Sequence, residues 1–441
     1  MAVRMPSPQQ LWRTLDSRLQ LHHFSYAIPR HANTLPFLFG GIAVALFIIE
    51  IVTGIVMTSW WGPLPIGDEK PLAARVMRKF HLLTMAAVLL FIGLHLLRVY
   101  VTAAHRRPRE VNWMIGVVAG HLMVLEAASA RLLIWSKRFP VEEEARPLLD
   151  PVRDIFGGWF TGLAGSPLNY RAYDAHISIL PILLGIVLVA HFHLIRAHGL
   201  SRPWWVRENG PESTLPFSTH LFAVARWTVL VLVAILPVAW WWATRPEGSR
   251  ESVEVYLTTF PVYWAYAMAD WFGGRGVFWA SISVLLTALL MPFFVDRGPQ
   301  TDIRRRPAAV ALLAVAIVGF GVISGIGHRE LGNALAQVRE AVAERPGPGP
   351  GAPPTLVTPS PIATPTPATV PRGAALFAQS CAGCHGETAA GTDRAGPLRT
   401  LRDLGFFLER WQVTHTRGGA AFANFSEEDR KTLWDWLQSL R

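Results

Sequence analysis

Two apolar stretches of the sequence each carry a pair of histidines at nearly the same spacing. His81 and His95 are fourteen residues apart, and His176 and His191 are fifteen apart. In an α-helix both spacings return to within about 40–60° of one face and separate the side chains by roughly 21–22 Å. One histidine in an apolar helix is more often a packing residue, but two matched pairs predict two bis-imidazole haem sites at different depths.

The elements that must position these histidines are apolar segments long enough to cross a membrane. Of the 441 residues, 51% are hydrophobic and only 16% are charged, whereas about 25% are charged in soluble proteins. The seven predicted segments cover 36–58, 80–102, 113–135, 176–198, 222–244, 276–295 and 307–327. The chain is therefore predicted to lie in a lipid bilayer.

The distribution of charge predicts the orientation of these segments. Arginines cluster before the first segment and after the second, fourth and sixth, whereas acidic residues cluster at 142–154, after the third. The positive-inside rule then places the N-terminus in the cytoplasm of a bacterium and the C-terminal part outside its inner membrane. The second and fourth segments run in the same direction, so His81 pairs with His176 near the outer face and His95 with His191 near the inner face. The net charge is +10, but the basic residues form no continuous stripe along the sequence. This distribution argues against nucleic-acid binding.

A third group of chemically active residues, Cys381-Ala-Gly-Cys384-His385, lies near the C-terminus. A CxxC pair alone could be a redox dithiol or half of a zinc site, but the adjoining histidine makes it the haem c attachment motif. Cys381 and Cys384 would form the thioethers and His385 would ligate the iron. The last methionine is Met291, which excludes Met ligation from this domain. His415 is the candidate sixth ligand, and the alternative is an iron that is five-coordinate or ligated by a partner.

The residues around the histidines give a family resemblance. The stretches Arg78-Lys-Phe-His81 and His95-Leu-Leu-Arg98 resemble cytochrome b of the quinol–cytochrome c (bc) and plastoquinol–plastocyanin (bf) complexes, and the fifteen-residue spacing resembles the bf branch. Segments five to seven resemble the three-helix subunit of the bf complex, and residues 372–441 resemble a class I cytochrome c. The resemblance implies two haems b, a quinone or quinol, a homodimer, a Rieske iron–sulfur partner and a cytochrome or cupredoxin acceptor. It further implies that Arg78 and Arg98 pair haem propionates, and that backbone meets haem at Gly41, Gly54 and Gly116.

The chain departs from this family at the outer quinol site. The family uses a Pro-Glu-Trp-Tyr motif, and the matching residues here are Pro261, Val262, Tyr263 and Trp264. Valine cannot accept the proton of a quinol. Two acids within the segments could substitute, Glu126 in the third and Glu50 in the first. Glu126 is the candidate proton relay, and its alternative role is a buried carboxyl that pairs with His121 or Arg131 or is held protonated. The first segment lacks the bf cysteine, near Leu38, which excludes a covalent extra haem beside the inner quinone site and leaves a non-covalent one open.

The sequence thus predicts an all-α membrane protein with a diheme four-helix bundle, three further transmembrane helices and a small all-α cytochrome c domain. The predicted ranges are 1–35 for a cytoplasmic segment with an interfacial helix, 36–200 for the bundle, 201–328 for the three-helix part, 329–371 for a helix and a Pro/Thr-rich linker, and 372–441 for the cytochrome c domain. The predicted function is transmembrane electron transfer as the cytochrome b/c subunit of a quinol–cytochrome c oxidoreductase in a respiratory or photosynthetic chain. The alternative is a non-bifurcating conduit that links another redox enzyme or an external donor to the quinone pool.

Overall fold

Long apolar helices make up most of the computed structural model. It describes residues 18, 26–62, 70–138, 142–157, 168–206, 213–244, 256, 259–294, 296–297, 300–343, 372–382, 388–389, 398 and 426–440. The helices are α1 (Leu35–Met57), α2 (Leu72–Val101), α3 (Glu110–Arg138), α4 (Glu142–Arg153), α5 (Leu168–Asp174), α6 (Leu180–His198), α7 (Phe217–Ala243), α8 (Tyr263–Phe294), α9 (Pro307–Ala343), α10 (Arg372–Ser380) and α11 (Glu427–Ser439). The extended residues form one antiparallel ribbon, β1 (Ala27–Pro29) with β2 (Thr214–Pro216).

Seven helical stretches in the described part of the chain are long and apolar enough to cross a membrane. They are Leu35–Met57, Leu72–Val101, Glu110–Ile134, Arg171–His198, Phe217–Ala243, Phe260–Phe294 and Pro307–Ala341. This number and the helical character confirm the predicted class, an all-α multi-pass membrane protein.

Three helices extend furthest beyond the apolar segments predicted for them. The second begins at Leu72 rather than at residue 80, because the charged residues before His81 are still good helix formers. The sixth continues back to Tyr263 through a kink at Gly273, whose φ of 68° is a conformation that glycine adopts without a steric penalty. The helix predicted at the start of the 329–371 range is not separate, since α9 runs unbroken from Pro307 to Ala343.

The membrane helices form the core of a first compact unit, Met1–Gly157 with Ala172–Val338. In this unit α1 packs along α2 and α7, and α3 packs along α6. The buried side chains of these helices meet in one apolar cluster, which includes Leu38, Ile42, Leu46, Val88 and Met123. This packing fixes the positions of α2 and α6, the two helices that carry the paired histidines.

A second compact unit comprises Gly158–Arg171 and Arg339–Arg441. In it α10 packs against α11, with the rings of Phe377 and Trp436 4.8 Å apart. Cys381 is buried in the same apolar cluster. A capping box begins α11, because the Asp429 amide donates to the Ser426 hydroxyl and the Ser426 amide donates to the Asp429 carboxylate. Several predicted features lie outside the described residues, namely Cys384, His385, His415, the interfacial helix before residue 18 and the linker at 346–371.

Candidate functional site

The structure brings the four predicted histidines together as two pairs. The ring centres of His81 and His176 are 6.3 Å apart with planes at 83°, and those of His95 and His191 are 6.4 Å apart with planes at 82°. Two nitrogen–metal bonds of about 2.0–2.1 Å, with roughly 1.1 Å from each nitrogen to its ring centre, predict about 6.3 Å between rings that share one metal ion. Both pairs therefore leave the space that a single iron between them requires. They are called the 81/176 pair and the 95/191 pair below.

A local change in helix geometry explains why the two helices use different spacings. His176 lies in a π-helical turn, Ala175–Ile179, that leads directly into α6. A π-turn accommodates one extra residue in an α-helix. The fifteen residues from His176 to His191 therefore cover the same rotation and nearly the same rise as the fourteen from His81 to His95. The π-helical turn that contains His176 thus accommodates the extra residue of the fourth segment.

Two buried carboxylates contact the 81/176 pair. Glu50 Oε2 of α1 lies 3.0 Å from His81 Nδ1, and Glu126 Oε1 of α3 lies 3.0 Å from His176 Nδ1. Hydroxyl groups lie beside them, with Thr53 Oγ1 2.8 Å from His81 Nδ1 and Ser129 Oγ 3.3 Å from His176 Nδ1. The partner of Glu126 is thus His176 of the 81/176 pair. It is neither His121 nor Arg131, the two partners that the sequence suggested.

The 95/191 pair is surrounded differently. The Nδ1 atoms of His95 and His191 form no hydrogen bond to another described side chain, and the backbone of Asn112 lies near His191. Glycines approach both rings. A Cβ built on Gly40 would lie 2.7 Å from His95 Nδ1, and one on Gly116 would lie 3.1 Å from His191 Cε1. A side chain at Gly40 would therefore displace the imidazole.

The predicted glycines are placed unequally by the structure. Gly116 faces His191, and Gly54 faces His81 at 3.6 Å, but a Cβ on Gly41 would meet Val224 of α7 at 2.7 Å. The glycine of α1 that lies against a histidine is Gly40, which sequence reasoning missed. The signal for it was available, because Gly40 and Gly54 are fourteen residues apart, the same spacing as His81 and His95.

The two predicted propionate ligands both lie in α2. Arg98 is half-buried, one turn after His95, with its guanidinium 4.5 Å from the centre of the Phe37 ring. Its Nε atom is buried and has no hydrogen-bond partner among the described residues. Arg78 is half-buried and precedes His81 by one turn. A buried guanidinium nitrogen without an acceptor fits a site that is completed by the carboxylate of a bound molecule.

The predicted quinol-site residues form the start of the sixth span. Pro261 and Val262 lie in a short 3₁₀ helix, Phe260–Val262, that packs against α3. Val262 is buried, as is Tyr263, whose hydroxyl donates to the Tyr256 carbonyl at 2.5 Å, and Trp264 is half-buried. Residues 261–264 keep two aromatic rings, those of Tyr263 and Trp264, but none of the four residues carries a carboxylate.

His328 of α9 adds a titratable group to this segment. Its ring centre lies 5.2 Å from that of Tyr263 and 4.5 Å from that of Tyr256. Sequence reasoning missed His328, because 65 residues separate it from Tyr263 and no short motif links the two positions. The contact gives the segment an imidazole that can accept a proton.

A separate buried cluster ties the ends of four spans together. Asp296 bonds to His105 at 2.9 Å and to Arg106 and Arg306. Arg306 also donates to the Tyr100 carbonyl at 3.2 Å. Burial raises the pKa of the Asp296 carboxyl, but the hydrogen bonds from His105 and the two arginines outweigh it and hold the pKa well below its usual range. These four residues, His105, Arg106, Asp296 and Arg306, are called the Asp296 cluster, and its role is to fasten helix ends.

Comparisons with known proteins agree with this architecture. A family model described as cytochrome b (N-terminal)/b6/petB matches residues 86–138. The chain is 32% identical to a cytochrome b6 of Heliomicrobium gestii over 197 residues, 40% of this chain and 90% of that protein. It is 31% identical to a cytochrome b6 of Cyanidium caldarium over 192 residues, 40% and 88%. A solved chain of a hyperthermophilic respiratory Complex III has a similar fold, with a TM-score of 0.51 and 19% identity over 75% of this chain and 93% of that one.

Proposed function

This chain belongs to the cytochrome b6 family, and from that premise we propose that it carries electrons across a membrane within a quinol-oxidising complex. The observation that carries the proposal is the pair of imidazole clamps, with ring centres 6.3 and 6.4 Å apart. His81 and His95 are fourteen positions apart in α2, which separates the two histidine pairs by about 21 Å. That span is about two thirds of the hydrocarbon thickness of a bilayer.

We propose that the four histidines would hold two haems b, which when bound supply one-electron carriers at two depths. The two imidazoles of each pair would hold one haem iron. Gly40, Gly54 and Gly116 would let the backbone pass close to the edges of the clamps. Arg98 would balance the charge of a propionate with the guanidinium nitrogen that is unpartnered in the described structure. Arg78 would do the same beside the 81/176 pair.

The test of this assignment is the haem content of histidine variants. His191→Leu should reduce the bound haem b from two per chain to one, because one clamp is lost. His193→Leu is the matched control, since His193 is exposed and lies in the same helix as His191, two residues and about 160° of rotation away from it. Haem b per chain is measured by the pyridine haemochrome of the purified chain. Retention of both haems in His191→Leu would refute the ligand assignment.

We further propose that quinol is oxidised beside residues 261–264. Oxidation of a quinol to a quinone releases two electrons and two protons, so the site needs a proton acceptor. Val262 cannot serve, and Glu126 already contacts His176. His328, in contact with Tyr263, is the better placed acceptor. One electron would go to the haem of the 81/176 pair and the other to a Rieske iron–sulfur partner, as in the family.

The experiment for this step is oxidant-induced reduction. The purified complex is held with quinol, the second quinone site is blocked by an inhibitor, and a high-potential oxidant is pulsed while haem b absorbance is followed. A transient increase in reduced haem b is expected, and its rate should fall in His328→Leu but not in His193→Leu. If haem b stays unchanged or oxidises, the chain is instead a non-bifurcating conduit, the function that the valine at position 262 favours.

For the C-terminal unit we propose a covalent haem c held by Cys381, Cys384 and His385. The support is the attachment motif together with the burial of Cys381 against Phe377, which would shield the edge of a porphyrin from water. His415 stays the candidate sixth ligand. Peroxidase staining of the chain after denaturing electrophoresis detects covalently bound haem. The signal should be present in the wild type and absent from a Cys381→Ala, Cys384→Ala variant, and an unchanged signal would refute the site.

A further inference from the structure

We propose that Glu50 and Glu126 lower the reduction potential of the haem at the 81/176 pair by accepting hydrogen bonds from both ligand imidazoles. This inference rests on the proposed function, because it requires His81 and His176 to be ligands. It concerns two carboxylates that come from different helices and contact the two histidines of one pair at the same distance, 3.0 Å.

The burial of these carboxylates calls for a functional explanation. Glu50 and Glu126 are each only 5% exposed, and both lie within helices that are long and apolar enough to cross a membrane. An ionisable group at membrane depth is costly unless a specific partner stabilises it. Each of them has one oxygen on a histidine nitrogen and a second, buried oxygen without a hydrogen-bond partner among the described residues. His81 and His176 are thus the partners that Glu50 and Glu126 contact.

The direction of the hydrogen bonds follows from the geometry of the pair. Glu50 and Thr53 both contact Nδ1 of His81, so Nε2 is the nitrogen left for a metal ion. A neutral imidazole that binds through Nε2 carries its proton on Nδ1. Nδ1–H then donates and the carboxylate accepts. The Thr53 hydroxyl also donates to the Ile49 carbonyl at 2.8 Å, which leaves it only an acceptor role toward the imidazole.

A carboxylate that accepts from a ligand imidazole makes that imidazole a stronger electron donor. The negative charge beside the ligand also favours the oxidised iron, which carries one more positive charge than the reduced iron. Both effects lower the potential of the haem, and second-shell hydrogen bonding is one of the ways in which a protein sets that potential. Because Glu50 contacts His81 and Glu126 contacts His176, both ligands of this haem would lower its potential.

The 95/191 pair provides the contrast within the same molecule. Among the described residues, no carboxylate contacts His95 or His191, and their Nδ1 atoms make no side-chain hydrogen bond. Its haem is therefore expected to have the higher potential of the two. Electron transfer from the 81/176 pair to the 95/191 pair is then downhill, so the two glutamates would set the direction of transfer through the membrane part.

The test is an optical redox titration of the two b haems in the purified full-length complex carrying Glu50→Gln or Glu126→Gln. Glutamine keeps the size of the side chain and an acceptor oxygen but removes the charge. Each variant should shift the reduction equilibrium of one haem at least tenfold toward the reduced form, about 59 mV for a one-electron couple. The other haem should keep its potential and serves as an internal control.

Glu110→Gln is the matched variant on the same helix as Glu126. Glu110 begins α3, pairs with the exposed Arg107 and lies sixteen residues from Glu126, so its replacement should change the potential of neither b haem. Unaltered potentials in both glutamine variants, with both haems bound, would overturn the inference. Loss of the haem in both would overturn it as well, because the carboxylates would then be supports for ligation. Failure of the ligand assignment itself is recognised separately, by histidine variants that keep both haems.

Discussion

Replacing Gly40 with alanine should selectively weaken the site at the 95/191 pair. The new Cβ would lie 2.7 Å from Nδ1 and 2.8 Å from Cε1 of His95, and the ring could yield only by changing its 6.4 Å separation from His191. Overpacking of this kind costs about 1–3 kcal/mol, whereas alanine gains about 1 kcal/mol in helix propensity over glycine. The net cost is then about 0–2 kcal/mol and should lie near the middle of that range, about 1 kcal/mol, which is a factor of about 5 in an equilibrium constant.

The assay is the haem b content of the purified chain, followed as denaturant is added in steps. One of the two haems should be released at a lower denaturant concentration in Gly40→Ala than in the wild type, while the other is released as before. Gly93→Ala is the control, because a Cβ at Gly93 of α2 meets nothing within 4 Å and brings only the propensity gain. Identical release curves for the two variants would refute the close approach of α1 to His95.

Two further variants test how the spans are fastened. Asp296→Asn should lower the free energy of unfolding by about 3 kcal/mol, since it removes the only anion described in the Asp296 cluster. Thermal denaturation should show a lower Tm for this variant and an unchanged Tm for the peripheral variant Asp302→Asn. Because the pKa of Asp296 is held below its usual value, its contribution is present above about pH 4 and is lost as the pH falls through the native pKa, so the difference in Tm should shrink in acid. Gly327→Ala should also destabilise, because its Cβ would collide with the Tyr263 carbonyl, whereas Gly325→Ala, with open space around it, should not.

The membrane spans and the ligand helices could be predicted from the sequence because both depend on local periodicity. Seven long apolar stretches predict seven spans, and the structure has them. Two histidine pairs at helical spacing predict two facing pairs, and the structure places their rings within 6.4 Å. Helix ends were predicted less well, because charged helix formers before His81 and after His328 prolong helices that hydropathy alone would end.

The partners of the site could not be predicted, because they depend on packing between distant helices. Glu50 meets His81 across thirty-one positions of sequence, and Glu126 meets His176 across fifty. Glu126 could be picked out as a buried acid, but its neighbours within α3 suggested His121 or Arg131 as partners. The contact of His328 with Tyr263 is of the same kind, since it needs the packing of α9 against the start of α8.

The π-turn at Ala175–Ile179 suggests a final experiment. Because the turn already holds one extra residue, we expect it to tolerate the deletion of one residue but not the insertion of another. Deleting Ser178, an exposed residue of this turn, would convert the π-turn to an α-turn and leave His176 and His191 fourteen residues apart, in the register that α2 already uses. Both haems should then remain bound. Inserting one alanine after Ser178 would instead rotate the two histidines by about 100° relative to each other, and a turn that already holds one extra residue has no further slack. One haem should be lost, as measured by haem b per chain. Loss of a haem in the deletion variant, with the insertion tolerated, would show that the extra residue is needed for more than register.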